Sequence, residues 1–117
     1  MKLRILENSV RLRLRRSELD EFARDGKVRA QTAFSPTSIL EYSLEAGDVA
    51  EPHVSFENSW VRVVVPRKAA EAWTASNDVA IVGQCGGISI LVEKDYQRTH
   101  VKTPVDQDLY PNPRKKL

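Results

Sequence analysis

The stretch Glu7–Leu14, ENSVRLRL, returns fifty positions later as Glu57–Val64, ENSWVRVV. In each case a turn-forming Glu-Asn-Ser is followed by apolar residues at every second position, the period of a strand with one buried face. The alternation also runs upstream of both turns, through Leu3 and Ile5 in the first and through Val54 and Phe56 in the second. Both stretches therefore predict β-hairpins. The first turns Leu3, Ile5, Val10, Leu12 and Leu14 inward, and the second Val54, Phe56, Val61, Val63 and Val65.

The segments after the two hairpins are also similar. Ser17 stands where a helix N-cap is expected, the acidic stretch ELDEFARD suits the positive end of a helix, and Gly26 supplies a left-handed stop. Leu19, Phe22 and Ala23 form its apolar stripe. Pro66 opens the second helix at a position that needs no N–H. A shift of 51 places Phe22 on Trp73, Gly26 on Asn77 and Val28 on Val79. Asn is the residue after Gly that most readily takes the left-handed conformation, so both helices are expected to end by the same device. Alternating strands then flank the turns Ser35-Pro36-Thr37 and Cys85-Gly86-Gly87, with Leu40, Tyr42 and Leu44 matching Ile88, Ile90 and Val92 at a shift of 48.

The expected fold is α+β: two tandem ββαββ repeats, 1–50 and 51–96, within a single domain 1–96. Its strands would form a curved antiparallel sheet or barrel-like sandwich with two short helices on an open side or end. Beyond it, residues 97–117 carry three prolines and no apolar period, and they read as an extended tail.

Composition sets the outer limits. The chain has 117 residues, enough for a core without staples, and a single cysteine, Cys85, which excludes a disulfide framework or a multi-cysteine zinc site. No run approaches the roughly 18 apolar residues of a membrane span, and charge at every second or third position of the N-terminus is unlike a secretory signal. The expectation is a cytoplasmic protein with no membrane contact. Both ends are basic and the middle is acidic, which fits either an anionic partner or ends that lie across the middle.

The segments KLRILENSVRLRL, ILVEKDY and YPNP together resemble an uncharacterised family of small bacterial proteins, a domain of unknown function. The resemblance runs over essentially the whole chain. It implies a small cytoplasmic bacterial protein and brings no reaction, substrate or cofactor. Members of that family often carry a cysteine shortly after the EKDF/Y motif, where this chain has Gln97 and Arg98.

Four groups of residues are candidates for function. Lys2, Arg4, Arg11, Arg13 and Arg15 would form a cationic ladder on the outer face of the first hairpin, offset by Glu41 and Glu45, by water or by a polyanion such as nucleic acid. No aromatic residues interleave the ladder, so nucleic acid is the less favoured partner. Trp60 and Val64 point away from the core valines and are candidates for contact with a protein partner or a second copy in a homodimer. His100, Asp106 and Asp108 are a weak metal set, too loosely spaced for a metal site to be assigned. Cys85 has no histidine placed beside it by the repeat, and Gly86-Gly87 reads as turn chemistry. The best-supported function is a non-enzymatic binding or assembly domain acting through hairpin surfaces, with no cofactor. The alternative is a tunnel enzyme in which the arginine ladder, with Glu41, Glu45 and Glu93, lines a closed barrel and holds a polyphosphate with a divalent cation.

Overall fold

The computed structural model describes residues 1–97 together with Asp108 and Tyr110. The chain order is β1 (Lys2–Leu6), β2 (Ser9–Leu14), α1 (Arg16–Asp25), β3 (Lys27–Ser35), β4 (Ser38–Gly47), β5 (His53–Glu57), β6 (Trp60–Pro66), α2 (Arg67–Ala75), β7 (Ala80–Cys85) and β8 (Ile88–Lys94). The order strand, strand, helix, strand, strand thus occurs twice. The strands form two open four-stranded sheets, ordered β1-β2-β8-β7 and β3-β4-β6-β5.

The expectation of one curved antiparallel sheet or barrel is corrected at the centre of each sheet. The hairpins are antiparallel, but they are joined by the parallel pairs β2–β8 and β4–β6. A hairpin satisfies only one edge of each of its strands, and the inner edge of β2 meets the chain 80 positions on, at Ser9↔Ser89. The chain therefore begins in the first sheet, crosses by α1 to build the whole second sheet, and returns by α2 to complete the first.

The two sheets share their registers. Adding 51 to the β1–β2 pair Lys2↔Arg13 gives the β5–β6 pair His53↔Val64. Adding 51 to Ser9 and subtracting 48 from Ser89 gives the observed pair Glu41↔Trp60. Even isolated bonds match: Ser89 N–H donates to Asn8 O at 2.9 Å, and Glu41 N–H to Ser59 O at 2.9 Å. At the turns themselves the quoted Glu-Asn-Ser letters are one position out of step. The two-residue turns are Glu7-Asn8 and Asn58-Ser59, with positive φ at Glu7, Asn58 and Ser59. Between β3–β4 and β7–β8 the first-strand offset is 53, so Val28 corresponds to Ile81 rather than to Val79. Val28 and Ile81 are both buried, whereas Val79 is exposed.

The inner faces of both sheets pack into one core that includes Val10, Leu12, Leu14, Leu44, Val61, Val63, Val65, Ile90 and Val92. The helices cover the end away from the hairpin turns. Phe22 and Trp73, each at most 2% exposed, meet edge to face with ring centroids 6.1 Å apart. Trp73 Nε1 donates to Val79 O at 3.1 Å, satisfying its polar atom, and Lys94 lies over the ring at 5.7 Å.

Three local expectations change. Helix α1 starts at Arg16 with Arg15 as its N-cap, and Glu18 reaches back to accept the Arg15 N–H at 2.8 Å, so Ser17 lies in the first turn. Gly26 ends α1 at φ 76° and its N–H donates to Phe22 O at 2.8 Å, as expected, but α2 ends at Ser76 in an extended conformation, with no positive φ at Asn77. Ala23 is exposed, leaving Leu19 and Phe22 as the inward stripe.

Because Phe22 and Trp73 fill the helix end together, Phe22→Ala and Trp73→Ala should each destabilise by about 3–5 kcal/mol in urea denaturation. The double variant should cost less than the two single costs combined, because the first truncation already removes their mutual contact.

Candidate functional site

The hairpin β1–β2 places Lys2 opposite Arg13 and Arg4 opposite Arg11, so four cations share one outer face. Arg15 is not part of that ladder; it caps α1 and pairs with Glu18 at 3.8 Å. The offsetting carboxylates also differ from expectation, because β2 lies beside β8. Glu93 takes Arg13 Nη2 at 2.8 Å and Arg11 Nε at 3.7 Å, and Asp95 takes Lys2 at 3.1 Å. Glu41 and Glu45 lie on the other sheet, ion-paired to Arg29 and Arg62. The tunnel arrangement is excluded: the sheets are open, the apolar residues are inside, and the arginines lie on the outer face.

On the outer face of the second sheet, Trp60 is half-buried rather than free. Its Nε1 donates to Ser43 Oγ at 2.9 Å, and the guanidiniums of Arg29 and Arg62 each lie 5.5 Å from its ring centroid. The hydrogen bond from Arg62 to Glu45, reinforced by its charge, raises the Arg62 pKa above the ordinary arginine value. Val64 is buried at 8% exposure, against Gly47, where an added Cβ would lie 2.8 Å from Val64 Cγ1. Of the tail candidates, His100 and Asp106 lie outside the described residues. Among the described residues no group of three or more His, Cys, Asp and Glu side chains could hold a metal.

Two features were not anticipated from the sequence. The first is an apolar mouth of about 310 Å³ between the sheets, on the hairpin side. It is lined in corresponding pairs by Ile5 and Phe56, Val10 and Val61, and Ile88 and Leu40. Ile5 is 58% exposed and Phe56 65%, so the inward alternation of β1 continues past the end of the core. The signal was present in the alternation, which does not say where packing stops.

The second feature is at the corner where the edge strands β5 and β7 meet. Pro52 sits on Gly83, whose missing Cβ would lie 2.5 Å from the proline ring. The contact sets His53 Nδ1 3.1 Å from Cys85 Sγ, which reverses the expectation that no histidine lies near the cysteine. The two residues are 32 positions apart, and only the crossing of the two sheets brings them together.

A family of unknown function, DUF7009, matches residues 1–114. The chain belongs to this family. No curated protein and no solved structure matches it, so family membership brings no named activity. Among the described residues no helix is long and apolar enough to cross a membrane.

Gly83→Ala should destabilise the fold by about 1–3 kcal/mol, because the added methyl must push Pro52 away from β7; thermal melting of the variant checks this. On the first sheet, Arg11→Ala combined with Arg13→Ala should change stability by less than about 1 kcal/mol, as half-exposed ion pairs do. Glu93→Gln, which leaves both guanidiniums without their carboxylate, should delay elution from a heparin column and steepen its dependence on salt.

Proposed function

We propose that this protein is a non-enzymatic binding or assembly domain, that its halves 1–50 and 51–96 arose by tandem duplication, and that its working surface is the apolar mouth, which docks a second copy. The matched registers and the paired contact of Phe22 with Trp73 support the duplication. The mouth carries the functional reading. Leu6, Phe34 and Ile39, at the same hairpin ends as Ile5 and Phe56, are also 40–73% exposed. Of these, Ile5 and Phe56 line the mouth itself, while Leu6 and Ile39 alternate with Ile5 and Leu40 and lie on the outer faces of their sheets.

The choice of a second copy follows from the internal correspondence of the lining. Ile5 matches Phe56, Val10 matches Val61 and Ile88 matches Leu40, so the patch is nearly self-related by a two-fold axis through the mouth. A surface of that kind is suited to an isologous contact in which the same residues serve both partners. The cationic ladder lies on an outer face, where Glu93 and Asp95 match half of its four charges, so it is secondary in this reading.

Sedimentation equilibrium tests the proposal. A reversible dimer is expected at micromolar concentration, and Ile5→Glu with Phe56→Glu should give a folded monomer, since both side chains are exposed in the isolated chain. A wild-type chain that stays monomeric at about 100 μM, which corresponds to less than roughly 5.5 kcal/mol of association, would overturn it.

A further inference from the structure

The corner formed by Pro52, His53, Gly83 and Cys85 does not follow from the packing of the fold alone. By the strand registers, the positions matching Cys85 and His53 in the other half are Thr32 and Lys2. Neither a thiol nor an imidazole therefore stands at the corresponding positions. The Sγ–Nδ1 separation of 3.1 Å is within hydrogen-bonding distance for sulfur, so one group can pass a proton to the other without moving.

Cys85 is half-buried at the edge of the core. Cys85 ends the edge strand β7, and the next two residues, Gly86 and Gly87, form the turn with φ 55° and 88°. A Cβ on either glycine would meet no atom of the described residues within 4 Å, so the turn that follows Cys85 is uncrowded there. On the other side, a shallow groove lined by Val49, Glu51, Pro52 and Gln84 is large enough for a short chain attached to an incoming sulfur. Glu51 lines the same groove as His53 and Cys85, but among the described residues no group of three or more His, Cys, Asp and Glu side chains is placed to hold a metal ion.

We propose that Cys85 and His53 form an activated thiol that exchanges with low-molecular-weight disulfides, making Cys85 a site of reversible S-thiolation. His53 Nδ1 takes the proton from Cys85 Sγ, and the thiolate attacks one sulfur of the disulfide RSSR. The S–S bond of the reagent breaks as the bond from Cys85 Sγ forms. The released RS⁻ takes the proton from the His53 imidazolium and leaves as RSH. Cys85 is oxidised to the mixed disulfide and half of the reagent is reduced to thiol. Because the chain has one cysteine, no internal thiol can resolve the adduct, which persists until an external thiol attacks it. The site is thus a modification switch and not a dithiol oxidoreductase. It is independent of the proposed dimer, since its residues do not line the mouth.

The test uses the full chain with bis(2-hydroxyethyl) disulfide, a small neutral reagent, and follows adduct formation by intact-mass spectrometry at pH 7. Wild type is expected to form one adduct, reversed by added dithiothreitol and absent in Cys85→Ser. His53→Gln, a change on an exposed edge residue that keeps a polar side chain but removes the base, should slow the reaction by about tenfold or more. Melting curves of both variants establish that they are folded. Equal rates for wild type and His53→Gln would overturn the assignment of His53 as the base. Failure of folded wild type to form any adduct would overturn the site.

Discussion

The parallel pairing of β2 with β8 and of β4 with β6 is the constraint on which the rest of the structure depends. Each hairpin leaves a row of unpaired backbone donors and acceptors on its inner strand, and those groups must be satisfied if the strand is to be buried. They find partners in a hairpin from the other half of the chain. Each helix is thereby obliged to bridge from one sheet to the other. Helices α1 and α2 consequently meet at one end, where Phe22 and Trp73 close the core against each other. Among the described residues the turn end has no equivalent plug, and the apolar mouth lies there.

The same seams set the surface electrostatics. A parallel neighbour places Glu93 between Arg11 and Arg13, and in the other sheet it places Glu45 beside Arg62. Under the registers that relate the sheets, Arg11 corresponds to Arg62 and Glu93 to Glu45, so this ion pair occurs once on each outer face. These pairs are exposed and contribute little stability individually. Their effect is to neutralise strands that would otherwise repel: the first sheet has Lys2 facing Arg13 and Arg4 facing Arg11 across one hairpin.

Where the two sheets cross, the halves cease to be alike. The β5–β7 corner has Pro52 against Gly83 and His53 against Cys85, and the close approach is available only because Gly83 has no side chain. Similar backbones have thus been given different chemistry at corresponding places: a thiol and an imidazole at one corner, and positions held by Thr32 and Lys2 in the other half.

By itself the sequence determined the element order and the phase of the strands. Alternation at every second position, a left-handed Gly26 and a Pro before α2 are local properties, and local backbone preferences act over a few residues whatever surrounds them. It also carried the correspondence of the halves, although the repeated Glu-Asn-Ser letters are offset by one from the turns they mark. Only the tertiary structure decided which strands became neighbours. The period of a strand states which face is buried and is silent on which edge pairs with what, so a parallel seam between Ser9 and Ser89 leaves no trace in the alternation. The partner of Arg13, the burial of Val64, the open mouth beyond Ile5 and the approach of His53 to Cys85 are all consequences of that choice of neighbours. Each joins residues distant in the chain, and such contacts form only when the whole fold brings them together.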